Sequence, residues 1–377
     1  MTLMYESQAY LDHPDAPGTH ALIVGIGNYP YLLGGAEEVR PNRLPLAQLT
    51  SSPVSAYAVV DWMLGTNTYA GHPEAKLNNP AAPLATVDLL VSEASPAADP
   101  ASIPTMANLK TAINQWVARC NTHSDNVAFL YLCGHGLKVR DLVLLTSDFG
   151  KPGELSIWNQ ALSLDSIRLG MRKCSAQSQF MFFDCCRNYP VAFTDVFATG
   201  NQMFDALMDH ADNRNYLAMN STLEGSQAFG TVGEPSHFTK ALLEGLSGFA
   251  SENRGGGWVV TNSSLASATH RIMRFDAGAS VNRQLVVSEA PGDATLHVLR
   301  GLPKVKTRVQ CLPPVPVIPV TYQLKRSGLV HHEAKNQPLR ADIEPGEWRV
   351  EMGVGGQWTQ HDQMIYPPTC DHPFKYP

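Results

Sequence analysis

VAFLYLCGHG, residues 127–136, and QFMFFDCCRN, residues 179–188, are the two stretches on which the reading of this chain turns. Each opens with an unbroken apolar run of strand length and ends in reactive chemistry. The first places His135 between Gly134 and Gly136; the second places Asp184, Cys185 and Cys186 in succession. Strands apolar along their whole length belong to parallel sheets covered by helices on both faces. In such sheets, ligands settle in the crevice beyond the carboxyl ends of the strands. An imidazole and a thiol at two such ends can face one another there. The thiolate is the attacking species in sulfur catalysis, and a nearby imidazole can draw off its proton and later return it. Flanking glycines let the backbone approach a substrate closely. The amides of Gly136 and Cys186 then become candidates for an oxyanion hole, where one donor is worth roughly 3 kcal/mol of barrier.

The segments on either side repeat the alternation of strand and helix. Residues 21–26 read as a buried strand ended by Gly27-Asn28, and residues 87–91 as a second. Between them the sequence predicts a helix over 53–64, with Ser52 at its N-cap, Pro53 at its first position and Gly65 just past its end. Thr105 opens a helix whose Met106, Leu109, Ile113, Trp116 and Cys120 fall close to the 3.6-residue period. Residues 142–145 add a short hairpin arm, and residues 164–172 a helix capped by Ser163. A fifth strand is expected at 216–219, with helices at 238–246 (Ser236 near the cap) and 265–273. Near residue 303 the composition changes. CLPPVPVIPVTYQLKR is dense in proline and β-branched residues, and short alternating stretches follow, separated by turns such as Pro345-Gly346. The expected organisation is a loose tail over 1–18, an α/β three-layer sandwich with a mostly parallel sheet over 19–303, and a small β-rich domain over 304–377.

Composition narrows the function classes. The chain has 377 residues, 44% hydrophobic and 16% charged, which fits a folded protein with a substantial core. A net charge of −6 and scattered Lys and Arg argue against a nucleic-acid partner. No apolar run approaches the roughly 18 residues that cross a bilayer, and no secretory signal opens the chain, so no membrane partner and a cytoplasmic location are expected. Seven cysteines without a C-x-x-C pair fit reduced thiols. Gly25-Ile26-Gly27 lacks the third glycine of a dinucleotide fingerprint, Pro30 standing in its place. Gly255-Gly256-Gly257 reads as a turn. His123, His237, His270, His331 and His332 show no metal-ligand spacing.

YLCGHG resembles the Tyr-Tyr-x-Gly-His-Gly strand end of caspases, metacaspases and their bacterial relatives, and FFDCCRN resembles their Asp-x-Cys-Arg or Asp-x-Cys-His nucleophile turn. His135 and Cys186 lie 51 residues apart, near the roughly 50 expected of caspases. ALIVGIGNY looks like the family's first strand, SHFTKALLEGL like the Ser-x-Phe-Thr-x-x-Leu helix of bacterial members, and NSTLEGSQAF like the loop that shapes the specificity pocket. The resemblance covers about residues 19–300 and implies a caspase-like cysteine endopeptidase. Cys186, preceded by Asp184 and followed by Arg187, takes the nucleophile's place; Cys185 falls at the variable position and is expected to be buried. His135 is the implied general base and acid.

Asp184 carries the implied specificity. Caspases that cut after Asp have Gln two residues before the nucleophile, whereas metacaspases, which cut after Arg or Lys, have Asp. A carboxylate there would pair with a guanidinium through charge-assisted hydrogen bonds. Asn220 and Ser221 are further substrate-binding candidates, and Arg214, inside the region that caspases cut on maturation, is a candidate for self-processing. No cofactor is expected; some metacaspases are calcium-activated, but no acidic calcium loop is recognisable. The expected partners are protein or peptide substrates, with a small nucleotide-type activator or a regulatory protein acting through residues 304–377, since bacterial relatives occur in antiviral defence systems. The rival readings are a catalytically silent caspase-like scaffold and a different thiol hydrolase or ligase on a similar sheet.

Overall fold

The computed structural model describes residues 2–38, 46–66, 76–93, 99–187, 199–204, 212, 214–222, 231–277, 286–312 and 319–375. In chain order, β1 (Leu3–Glu6) and α1 (Gln8–Asp12) precede β2 (Thr19–Ile26), α2 (Ser51–Leu64), β3 (Leu84–Ser92), α3 (Met106–Cys120) and β4 (Val127–Gly134). A small antiparallel group, β5 (Gly136–Lys138), β6 (Leu142–Leu145) and β7 (Ala161–Ser163), follows, then α4 (Leu164–Gly170), β8 (Ser178–Cys185) and β9 (Asn215–Asn220). Next come α5 (His237–Glu244), β10 (Glu252–Asn253), β11 (Trp258–Thr261), α6 (Asn262–Ala277), β12 (Val287–Glu289) and β13 (Thr295–Val298).

The main sheet has seven strands in the order β1-β3-β2-β4-β8-β9-β12. β3, β2, β4, β8 and β9 run parallel, and β1 and β12 close the two edges antiparallel. Every residue of β2 and β4 is buried, because side chains alternate across the sheet and helices cover both faces. Phe129, Tyr131, Phe180 and Phe182 pack on one face under α2, α5 and α6. Leu130, Leu132, Met181 and Phe183 pack on the other under α3 and α4. Each such side chain contributes about 2 kcal/mol on burial. From β2 the chain steps to one side for β3 and crosses back to the other for β4, so the strand order reverses between β2 and β4. That reversal opens the crevice at the carboxyl ends.

Two expectations need correction. The stretch expected as a loose tail contains paired structure, for Leu3, Tyr5 and Glu6 pair with Asp88, Val87 and Thr86 of β3. The helix expected from Pro53 begins at Ser51, with Thr50 at the cap position and no side-chain cap bond. Ser52 and Pro53 are buried instead. They pack against β2, where a Cβ on Gly25 would lie 2.6 Å from the Ser52 carbonyl.

Beyond residue 304, β14 (Val305–Cys311), β15 (Val320–Arg326), β16 (Leu329–Lys335), β17 (Leu339–Ile343), β18 (Gly346–Val354), β19 (Gln357–Ile365) and β20 (Thr369–Phe374) make two sheets, β17-β14-β20 and β16-β15-β18-β19. They share a core that includes Val309, Leu324, Trp348, Val350 and Phe374. This β unit is tied to the α/β part through β14. Lys306 Nζ lies 2.7 Å from Glu244 at the end of α5 and 3.1 Å from Asp276 of α6. Arg308 donates to the Phe275 carbonyl at 3.2 Å and stacks over the Phe275 ring.

Candidate active site

Three adjacent strands bring the reactive residues to one end of the sheet. Register pairs Gly25 of β2 with Cys133 of β4, then Cys133 with Asp184 and Gly134 with Cys185 of β8. The residues that follow each strand are therefore neighbours. A Cβ added to Gly136 would lie 2.4 Å from the Cys186 carbonyl oxygen and 2.6 Å from the Cys185 sulfur. The loop carrying His135 and the turn carrying Cys186 thus touch at the two proposed oxyanion-hole residues, and any side chain at Gly136 would force them apart.

His135 is held from several sides. Its backbone N–H donates to the Tyr29 hydroxyl at 2.8 Å, and its carbonyl accepts from the Leu145 N–H at 2.9 Å. The Tyr29 ring lies against the imidazole, with centroids 4.9 Å apart. Nε2 is 2.6 Å from the Ala47 carbonyl oxygen. A carbonyl only accepts, so Nε2 carries the proton and Nδ1 keeps the basic lone pair. Burial pushes the His135 pKa down, and the Ala47 bond opposes that shift. The result is a neutral imidazole of fixed tautomer. Sequence reasoning found no group orienting this histidine; the group is a main-chain carbonyl, which no residue type marks. Tyr29 was visible only as the last residue of ALIVGIGNY.

The two cysteines differ in setting. Cys185 is 1% exposed, and burial pushes its thiol well up, with Cys186 and Asp184 adding to the shift. Cys186 is partly exposed.

Asp184 is buried, and its Oδ2 accepts from the hydroxyls of Ser236, Thr239 (2.8 Å) and Tyr131 (3.1 Å), with the Cys133 thiol at 3.6 Å. Ser236 also caps α5 by accepting from the Thr239 N–H at 2.9 Å. The Ser-x-Phe-Thr pattern therefore starts a helix and grips a carboxylate with the same two residues. Oδ1 makes no hydrogen bond among the described residues and is left as an acceptor.

The remaining candidates fare differently. Asn220, at the end of β9, has its Oδ1 buried without a hydrogen-bond partner among the described residues. Ser221 is fully buried, and its hydroxyl donates to the Cys185 carbonyl at 3.2 Å, so that side chain braces the nucleophile turn. Arg214 is 5% exposed. Its guanidinium donates to Asp212 at 2.7 Å, to Gln179 at 2.7 Å and to the Arg168 carbonyl, and it lies over the Tyr216 ring. Held in this way, Arg214 anchors the start of β9. Most of the expected processing region, 188–198 and 205–211, and residues 223–229 of the NSTLEGSQAF loop lie outside the described residues. Among the described residues no group of three or more His, Cys, Asp or Glu could hold a metal ion, and none of the seven cysteines is in a disulfide. No described helix is long and apolar enough to cross a membrane.

An uncharacterized protein of Sinorhizobium fredii, y4kE, is 27% identical over 314 residues, 77% of this chain and 90% of its own. The crystal structure of Caspase-1 from Spodoptera frugiperda aligns with a TM-score of 0.41 and 14% identity, over 73% of this chain and 88% of that one. The family model of the caspase domain matches residues 61–306, more than half of the chain and including both His135 and Cys186, and the chain therefore belongs to the caspase domain family of peptidases.

Proposed function

We propose that the protein is a cysteine endopeptidase that cuts after arginine, and less readily after lysine, with Cys186 as nucleophile and His135 as base and acid. The supporting observation is the contact between the His135 loop and the Cys186 turn, with the tautomer of His135 fixed by Ala47. Nδ1 takes the thiol proton as sulfur attacks the peptide carbonyl, and the amides of Gly136 and Cys186 receive the oxyanion. The same proton then passes to the departing amine, leaving a thioester on Cys186. Water adds to the thioester with His135 as base, releasing the acid and restoring the thiol.

Asp184 is the proposed anchor for the basic side chain. Its Oδ2 is held by the hydroxyls of Ser236, Thr239 and Tyr131, while Oδ1, which makes no hydrogen bond among the described residues, is the proposed acceptor for a guanidinium. Asn220, whose buried Oδ1 lacks a partner among the described residues, is a proposed second polar contact. A panel of fluorogenic peptides tests the assignment. Turnover is expected to be best after Arg, and best turnover after Asp or a neutral residue would overturn it. A peptide-based cysteine trap is expected to label Cys186; absence of labelling would favour a silent scaffold.

The β unit from residue 304 is proposed as the regulatory region, taking a small nucleotide-type activator or a regulatory protein, with the enzyme acting in the cytoplasm as a defence effector. Supporting this, α5 begins at Ser236 on Asp184 and ends at Glu244 on Lys306 of β14. Deleting residues 304–377 is expected to change activity, and unchanged behaviour would leave the unit a passive lid.

A further inference from the structure

The Ala47 carbonyl can fix the His135 tautomer only if something fixes the carbonyl. Ala47 belongs to a short, partly exposed segment whose regular backbone pairing among the described residues is a single isolated parallel bridge to Leu33. Its neighbour Gln48 supplies the missing rigidity. The Gln48 Oε1 accepts from the Tyr29 N–H at 2.7 Å, while Nε2 donates to the Tyr29 carbonyl and to the Leu33 carbonyl, each at 3.1 Å. Gln48 thus holds both polar groups of the Tyr29 main chain. Tyr29 in turn holds the His135 N–H through its hydroxyl and the imidazole through its ring. A closed circuit results, running from Gln48 to Tyr29 to His135 to Ala47 and back through one peptide bond. Two main-chain bonds flank it, Leu33 N–H to the Leu46 carbonyl at 3.1 Å and Leu49 N–H to the Gly27 carbonyl at 2.8 Å.

We infer that Gln48 is a positioning residue for the proton-transfer step: it orients the Ala47 carbonyl and thereby keeps the proton of His135 on Nε2 and the lone pair on Nδ1. It touches neither substrate nor the reacting atoms. The inference rests on the peptidase reading only for its kinetic consequence, because the tautomer itself is observable without turnover. An amide is the side chain that fits, since it must accept once and donate twice within one planar group. Gln48→Glu keeps the acceptor and loses both donors. Gln48→Ala loses all three bonds.

The test uses the full-length protein labelled with 15N in histidine. In wild type the His135 ring is expected to show one protonated nitrogen, Nε2, with slowed exchange. In Gln48→Ala that signal is expected to collapse to the averaged shifts of a tautomer mixture, with Gln48→Glu in between and thermal unfolding of both variants close to wild type. Kinetically, kcat is expected to fall about tenfold with KM unchanged, a fraction of the 10²–10⁴ that general base catalysis supplies. A retained Nε2–H signal in Gln48→Ala would overturn the inference and assign the work to the flanking main-chain bonds. A wild type that holds the tautomer yet neither turns over peptides nor labels at Cys186 would instead overturn the peptidase reading. If Gln48→Ala fails to fold, Gln48→Glu carries the same test.

Discussion

Burial that pushes the Cys185 thiol up keeps it protonated and unreactive, while its neighbour Cys186 is partly exposed and within reach of a reagent. Cys186→Ala is therefore expected to abolish both trap labelling and hydrolysis. Cys185→Ala is expected to keep labelling at Cys186, with intact mass spectrometry as the check. His135 makes a prediction in pH. Its imidazole is held below the ordinary 6.5 by burial. A general base works in its neutral form, so a lowered pKa extends activity toward acid, and the acidic limb of kcat/KM should have its midpoint under 6.5. A midpoint at or above 6.5 would contradict the buried, Ala47-bonded imidazole. At this scale the sequence supplied the candidate groups, because His135, Cys186 and Asp184 are marked by type and spacing. It did not carry their supports. Ala47 acts through its main chain, and Gln48 through contacts to a strand end 19 positions away.

The strands and most helices were legible because each is coded locally. Apolar runs marked β2, β4 and β8, and hydroxyl caps marked α3 and α4, where Thr105 accepts from the Asn108 N–H and Ser163 from the Ser166 N–H. Thr105→Ala is expected to lower stability by about 1 kcal/mol, the usual worth of such a cap, read as a drop of a few degrees or less in Tm. Two elements were misread where tertiary packing outweighs the local signal. β1 is four residues with half of them only partly buried, and it exists because β3 offers an edge. The start of α2 was assigned by Ser-Pro chemistry, whereas burial of Ser52 and Pro53 against β2 decides it. Residues that look like signals at a helix end can be packing residues first.

Over the whole molecule, two buried histidines tie stability to acid. His20 sits against β3, with Nδ1 2.9 Å from the Thr86 hydroxyl, and His297 packs edge-on to Trp62; burial lowers each to about 4. Both are neutral in the fold and titrate near 6.5 when unfolded. The unfolded chain then binds more protons between those values, so their contribution is complete above pH 6.5 and is lost as pH falls toward 4. The upper bound is roughly 3 kcal/mol apiece. Urea midpoints measured from pH 7 to 4 should fall, and replacing either histidine with Asn should flatten the curve. The β unit adds a property of a different kind. β20 ends the described chain and runs parallel to β14, which leads in from the α/β part, and register holds from Lys306 with Thr369 to Cys311 with Phe374. A force drawing the C-terminal end away from the rest of the molecule therefore loads those rungs together, in shear rather than one at a time. An unfolding motor that grips this end would meet its steepest mechanical resistance at the first strand, and single-molecule extension should record that rupture as a high initial force peak.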